Sequence, residues 1–138
     1  MPPHRSARAQ LTRDWLAKAD EDLQAARFLA AAPTVLHDSV AFHCQQAAEK
    51  ALKAYLTWHS LPFRRTHDLA ELLLQCTAID PSVQPLSAAA NVLVQYAIDP
   101  RYPGPASGVG PLASADALTL AGQVVREVLA RLPPAVHP

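Results

Sequence analysis

Five polar residues recur at three- and four-residue steps in the alanine-rich stretch 42–56; they are His43, Gln46, Glu49, Lys50 and Lys53. Such steps place side chains on one side of an α-helix. An imidazole can exchange protons near neutral pH and lysines attract phosphate, so this face is a candidate site for a nucleotide or RNA. The alternative is a solvated face on which Glu49 and Lys53 form an ion pair worth about 0.2–0.5 kcal/mol.

A second polar group surrounds the turn that follows this stretch; its members are His59, Arg64, Arg65 and His67. The turn leads into a helix whose free N–H groups, with the two arginines, would suit a phosphate. Asp68 stands at the same place, and its carboxylate would already occupy those N–H groups. Anion binding here is therefore the weaker interpretation.

The third candidate is the tripeptide Arg101-Tyr102-Pro103. Arginine pairs with phosphate through a fixed fork, and a neighbouring tyrosine can stack on a base. Alternatively, Tyr102 packs on the end of the fold and Arg101 pairs with Asp99.

Other catalytic patterns are missing from the sequence. It contains no glycine-rich phosphate loop, no His-Glu-x-x-His, no Cys-x-x-Cys and no Gly-x-Ser-x-Gly. None of the six histidines forms a four-residue pair on a predicted helix. We therefore expect neither a metal site nor a cofactor.

Composition limits the class of protein. Half of the 138 residues are hydrophobic and 17% are charged, which predicts one folded domain with some apolar surface hidden in an oligomer. The formal net charge is zero, which argues against a general basic coat for nucleic acid.

Cys44 and Cys76 fall in apolar stretches without metal-ligand spacing, so we expect free, buried thiols. Residues 1–10 carry no signal-peptide pattern and no stretch is long enough to span a membrane, so we expect a soluble, cytoplasmic protein.

The thirteen prolines define the elements that must position these residues. Proline is excluded from helix interiors, and the five windows between proline clusters all show helical periodicity. The predicted helices cover about residues 12–31, 35–60, from 68, from 82, and 114–132. The sequence thus predicts an all-α fold, an antiparallel up-and-down bundle of four main helices plus a short helix. We expect the domain to span 12–132, with a flexible N-terminus at 1–11, a proline- and glycine-rich loop at 99–113 and a flexible tail at 133–138.

Taken in order, these segments resemble the HEPN family, named for higher eukaryotes and prokaryotes nucleotide-binding. The matching segments are Trp15 with Ala19, Asp22-Leu23 and Ala26; Phe42 to Lys53, with its Gln-x-x-Glu-Lys-x-x-Lys run; Thr66-His67-Asp68-Leu69 with Leu72; and Tyr96 with Arg101-Tyr102-Pro103. The resemblance implies a helical bundle that is commonly a homodimer. It also implies a minimal nucleotidyltransferase as partner, often in a toxin–antitoxin module.

Many HEPN toxins are metal-independent RNases that use an arginine followed, after four to six residues, by a histidine. This sequence departs from that pattern, because the next histidine after Arg101 is His137 and the step from Arg64 to His67 is too short. The leading hypothesis is therefore a binding module in which a cleft is lined by His43, Gln46, Glu49, Lys50, Lys53, Arg101 and Tyr102. Its rivals are an RNase toxin that uses Arg101 with a displaced His43 or His67, and a purely structural, dimerising subunit.

Overall fold

The computed structural model describes residues 3–98, 100, 103 and 108–138, with side chains from residue 7 onward. It consists of five α-helices and three short 3₁₀ helices, and the described residues contain no strand. The α-helices are α1 Pro3–Ala30, α2 His37–Trp58, α3 Leu69–Ile79, α4 Ser87–Leu93 and α5 Pro111–Ala130. The 3₁₀ helices are Pro81–Leu86 and Val94–Tyr96, on either side of α4, and Pro134–Val136. The predicted all-α class is confirmed.

Helices α1 and α2 run antiparallel and form the centre of the bundle. We call the end at which α2 begins the upper end and the end at which it finishes the lower end. At the lower end, the Arg8 guanidinium near the start of α1 lies 4.5 Å from the centre of the Trp58 ring. Further up, Asp22 of α1 contacts His43 of α2, so the two helices lie side by side over most of their length.

Helices α4 and α5 complete the bundle as a second antiparallel pair. His37 and Ser114, at the starts of α2 and α5, are joined at the upper end by a 2.6 Å hydrogen bond. Arg131, at the end of α5, pairs at 3.2 Å with Asp80, which precedes α4. Helix α4, extended at both ends by the 3₁₀ helices that flank it, therefore rises while α5 descends, and α3 is the additional helix. This arrangement confirms the predicted up-and-down bundle.

The core is built around small residues of α2. Five alanines of this helix are almost completely buried: Ala41, Ala47, Ala48, Ala51 and Ala54. Ala19 and Ala26 of α1 are also fully buried, so the two helices approach closely. Larger side chains such as Leu16 and Leu56 fill the space around this alanine seam. Cys44 and Cys76 are free and buried, as predicted.

Helix α1 begins earlier than the sequence suggests. Residues 3–11, expected to be flexible, are helical, and Pro3 occupies the first helical position, where its missing N–H costs little. Thr12 does not cap the helix; its hydroxyl donates to the carbonyl oxygen of Arg8 at 2.8 Å, inside the helix. Packing explains the extension, because Ala9 lies against the core and the Arg8 guanidinium lies over the Trp58 ring.

The C-terminal segment also packs where we expected a flexible tail. Val136 is buried against the core. The Nε2 of His137 lies 2.9 Å and 3.0 Å from the carbonyl oxygens of Leu129 and Leu132, in the last turn of α5 and just beyond it. Residues 133–137 therefore cap α5.

The connections around α3 show one cap that was predicted and one that was not. Asp68 caps α3 by accepting from the backbone N–H groups of Ala70 and Glu71, at 3.0 and 3.3 Å. The next segment, predicted to be helical from residue 82, is capped by Asp80 and starts at Pro81 as a 3₁₀ helix. In the predicted loop 99–113, α5 already begins at Pro111.

Candidate polar site between α1 and α2

Asp22 of α1 bridges two residues of α2 that stand two helical turns apart. Its Oδ1 lies 2.9 Å from the Nδ1 of His43, and its Oδ2 accepts from the Nζ of Lys50. The Asp22 and Lys50 side chains are mostly buried, while 30% of the His43 side chain stays exposed. This carboxylate therefore holds one end of the candidate site in place.

Glu49 is the centre of a second set of hydrogen bonds. It is 3% exposed and accepts from Gln45 Nε2 at 3.1 Å and Lys53 Nζ at 3.1 Å. The Nδ1 of His67, from the segment before α3, lies 2.7 Å from Oε1 of the same carboxylate. Gln46 donates to Gln45 at 2.6 Å and so links the Glu49 set to the rest of the α2 face.

We call these eight residues the α2 polar cluster: Asp22, His43, Gln45, Gln46, Glu49, Lys50, Lys53 and His67. It contains two carboxylates and two ammonium groups, and each ammonium is paired within it. The lysine charges are therefore already neutralised, and the cluster as it stands is no open phosphate clamp.

Lys53 lies in the interior rather than on a solvated face. It is 7% exposed, and its ammonium is 5.5 Å and 5.6 Å from the ring centres of Trp15 and Phe63. The expected Glu49–Lys53 pair forms, but both partners are buried. The interpretation of this pair as a solvent-exposed feature is wrong, because α1 and the segment after α2 cover it.

The two histidines are the groups of the cluster that remain open to a ligand. Each carboxylate accepts from Nδ1, which leaves Nε2 of His43 and of His67 without a hydrogen-bond partner among the described residues. The His67 side chain is 66% exposed. A ring oriented through one nitrogen presents the other in a fixed direction, so each can donate to or accept from a bound group.

The structure brings together five of the seven predicted site residues, those on α2. Arg101 and Tyr102 lie outside the described residues. Sequence reasoning missed Asp22 and Gln45. Asp22 follows Lys18 by four residues, a spacing that suits an exposed ion pair, but Lys18 instead contacts Glu21 at 3.5 Å.

A spacing signal for Asp22 was available in the sequence. Asp22 follows buried Ala19 by three residues and precedes buried Ala26 by four, so it borders the packed stripe of α1. Gln45 gives no such signal. It is fully buried in the fold, but in the sequence it cannot be distinguished from an exposed polar residue of a helix.

The second predicted group does not form an anion site. Arg64 makes two 2.9 Å hydrogen bonds to Glu71, and this pairing raises the pKa of Arg64 and lowers that of Glu71. Asp68 occupies the N-terminus of α3, as the sequence indicated. Burial, followed by nearby Arg8, lowers the pKa of His59.

Within the described part of the chain, no three His, Cys, Asp or Glu side chains are placed to hold a metal ion. No helix among the described residues has both the length and the apolar character needed to cross a bilayer.

The fold and the cluster together define an all-helical module whose polar groups meet between two antiparallel helices. The family model of the HEPN domain matches residues 12–132, and the chain belongs to the HEPN family. The resemblance found in the sequence is thereby confirmed. Membership supports a nucleotide-binding or RNase-type module, and HEPN domains often act as dimers.

Two solved structures are similar to the chain. The crystal structure of TT1696 from Thermus thermophilus is 32% identical, with a TM-score of 0.72 over 88% of this chain and 98% of that one. ST0689, an archaeal HEPN homologue, is 24% identical, with a TM-score of 0.69 over 87% of this chain and 96% of its own. The second likeness concerns the fold alone. No curated protein matches the chain.

Proposed function

We propose that the chain is a nucleotide- or RNA-binding HEPN module that acts beside a nucleotidyltransferase partner. One observation carries the ligand-binding part: two histidines of the α2 polar cluster are held by carboxylates through Nδ1 and direct Nε2 away from them. Imidazole N–H groups and a mostly buried lysine are donors suited to phosphate oxygens.

A ligand that binds in this site replaces an existing ion pair, because both lysines of the cluster are already paired with carboxylates. A ligand phosphate next to Asp22 competes for the ammonium of Lys50, while His43 supplies a second donor. The Oε1 of Gln46 accepts no hydrogen bond among the described residues, so it is free to accept one from a base edge. Glu49 and Lys53 lie too deep for direct contact and support His67 from behind.

Arg101 and Tyr102 belong to this proposal as a phosphate fork and a stacking surface. Its support is the anchoring of the loop at the upper end, where the backbone N–H of Val109 donates to Asp38 at 2.7 Å. Asp38 precedes His43 by about one and a half turns of α2. Val109 therefore contacts α2 at the end of the helix nearest His43.

The test is a titration of fluorescently labelled single-stranded RNA, and of ATP, against wild type and two cluster variants. We expect Lys50→Ala and His43→Ala each to weaken binding about fivefold to tenfold, the loss of one charge-assisted hydrogen bond. The matched control is Lys18→Ala, which removes the same charge from an exposed position on α1 and should stay within about twofold. Equal affinities in all four proteins would favour the purely structural subunit.

The partner and the toxin–antitoxin role are proposed from the family resemblance. We expect the protein to co-purify with a small nucleotidyltransferase encoded by the neighbouring reading frame when the two are expressed together. Separate elution of the two proteins would remove this part of the proposal and leave ligand binding untouched.

An RNase that uses a displaced histidine is the second candidate function. It is favoured by the two carboxylate-backed imidazoles, since general acid–base help of this kind contributes roughly 10²–10⁴-fold. It is disfavoured by the missing histidine after Arg101, and we expect little metal-independent cleavage. RNA cleavage in EDTA by wild type that Arg101→Ala and either His43→Ala or His67→Ala abolish would promote this candidate over the binding module.

A further inference from the structure

A groove of about 610 Å³ lies at the lower end of the bundle, and its lining includes neither of the open histidines. The first half of α1 forms one wall, with Arg8, Leu11 and Trp15. The end of α2 and the segment after it form the other wall, which includes Leu61 and Phe63. This volume falls within the range of about 300–1,000 Å³ that is usual for small-molecule sites.

The wall of this groove is largely apolar and partly open to solvent. Trp15 and Phe63 meet edge to face, with ring centres 6.0 Å apart at 67°. Leu11 and Leu61 are both exposed large hydrophobic residues. Aromatic faces beside exposed aliphatic side chains suit a planar, apolar-faced group.

Arg8 brings an unpaired positive charge to the edge of the groove. Its guanidinium lies 4.5 Å from the Trp58 ring centre, and its buried Nε has no hydrogen-bond partner. Among the described residues, Arg8 makes no ion pair. Residues 1–13 contain three arginines and no acidic residue, so this end of the chain is locally basic although the net charge is zero.

We propose that this groove binds one nucleotide unit of single-stranded RNA, with its base against Trp15 and Phe63 and its phosphate on Arg8. Base stacking on aromatic side chains is tolerant of sequence, and an arginine fork fits a phosphate. An acidic peptide would meet the charge of Arg8 but has no ring system to cover the aromatic wall. The inference rests on the proposed RNA-binding function and adds a binding position that the α2 polar cluster does not contain.

Lys53 connects the two positions. Its ammonium lies beside Trp15 and Phe63 on one side and 3.1 Å from Glu49 on the other. The rings that form the groove wall therefore also cover the buried Lys53 end of the cluster.

Intrinsic fluorescence tests the groove directly, because the chain has two tryptophans and both lie at this end. Unlabelled oligouridylate should quench tryptophan emission saturably, and anisotropy of the same labelled oligomer should report total binding. We expect Arg8→Gln to weaken affinity about tenfold, as for the loss of a charge-assisted contact. Arg27→Gln, which removes the same charge at the opposite end of α1, should stay within about twofold.

The outcomes separate this inference from the proposed function. Quenching together with a selective loss in Arg8→Gln supports the groove. Binding seen by anisotropy without quenching, and with equal affinities in the two variants, overturns the groove while RNA binding stands. Full displacement of the oligomer by equimolar polyglutamate means a general anion site and overturns base recognition. If wild type shows no binding by either readout, the proposed function fails and the groove inference fails with it.

Discussion

Lys53 carries its charge into the protein interior between Glu49 and two aromatic rings. A buried ammonium needs both a carboxylate and a favourable local environment, and Lys53 has an ion pair and two ring faces. Lys50 is less buried, and its partner Asp22 keeps His43 when the lysine is removed. The two lysines therefore play unequal roles, although they look equivalent in the run of the sequence.

Replacing Lys53 by alanine should lower the free energy of unfolding by about 3 kcal/mol. The substitution leaves the buried Glu49 carboxylate without its ammonium partner and removes the contact of that ammonium with the Trp15 and Phe63 rings. Lys50→Ala should cost about 1 kcal/mol, as expected for a more exposed pair. Urea unfolding followed by far-UV circular dichroism measures both. A Lys53→Ala protein as stable as wild type would show that the ammonium contributes no net stabilisation in its buried position.

The two buried thiols make the free energy of unfolding depend on pH in the alkaline range. Burial raises the pKa of Cys44 and of Cys76 to about 12, against an ordinary value of 9.0. The folded chain holds these protons more tightly than the unfolded chain, so the stabilisation is present below pH 9 and is lost as the pH rises toward 12.

We therefore expect the free energy of unfolding to fall with rising pH above about pH 9. The double variant Cys44→Ala, Cys76→Ala should show a shallower fall, whatever its absolute stability. Urea titrations at several alkaline pH values give the slope. As a control, both thiols of the native wild type should resist iodoacetamide and react after unfolding. Equal slopes in the two proteins would contradict the assignment.

At the scale of elements, α2 ends in a left-handed residue that is not glycine. Ser60 has φ of 57°, its N–H donates to Thr57 O at 3.0 Å, and the N–H of Leu61 donates to Leu56 O at 2.9 Å. This pair of bonds is the Schellman arrangement, which usually places glycine at the left-handed position. The serine therefore holds a conformation that is strained for a residue with a Cβ.

Ser60→Gly should raise the free energy of unfolding by about 0.5–1 kcal/mol, because glycine adopts positive φ without that strain. Ser87→Gly is the matched control, since Ser87 has right-handed helical angles and glycine there should lower stability by up to about 1 kcal/mol. Thermal unfolding by calorimetry compares the two. A loss of stability in Ser60→Gly would mean that the serine hydroxyl matters more than the backbone strain.

The sequence predicted elements well where local chemistry decides them. Pro62 limits α2 and Asp68 caps α3, and both follow from rules about single residues. It predicted less well where packing decides. Thr12 is a good capping residue, yet it lies within α1 because the preceding turns pack at the lower end of the bundle. The burial of Glu49 depends on which segment covers α2, and helical periodicity alone does not specify that.

At the scale of the whole molecule, exposed apolar side chains collect at the upper end. Of the seven exposed large hydrophobic residues among those described, four flank the ends of helices there; they are Phe28, Leu36, Ile98 and Leu112. Phe28 is 78% and Leu112 is 88% exposed. Such a concentration, with a low charge fraction, favours self-association.

We expect the protein to form a homodimer through this end. Light scattering should give twice the 14.8 kDa chain mass for wild type, and the chain mass for a Phe28→Glu, Leu112→Glu variant. Leu74→Glu is the control, because Leu74 is 72% exposed but belongs to α3. A wild type that scatters as a single chain at micromolar concentration would contradict the dimer, as would an equal effect of the control.

The alanine seam of α2 has a practical consequence for mutagenesis. Along this face the native residue is often already alanine, so a conventional alanine scan would pass over the most tightly packed surface of the protein without testing it. A scan toward larger residues would be informative instead: Ala47→Leu or Ala51→Leu should force α1 and α2 apart at a cost of about 1–3 kcal/mol or more. In natural relatives, side-chain volume at these positions should therefore vary little, whereas residues on the outer faces of the helices should vary freely.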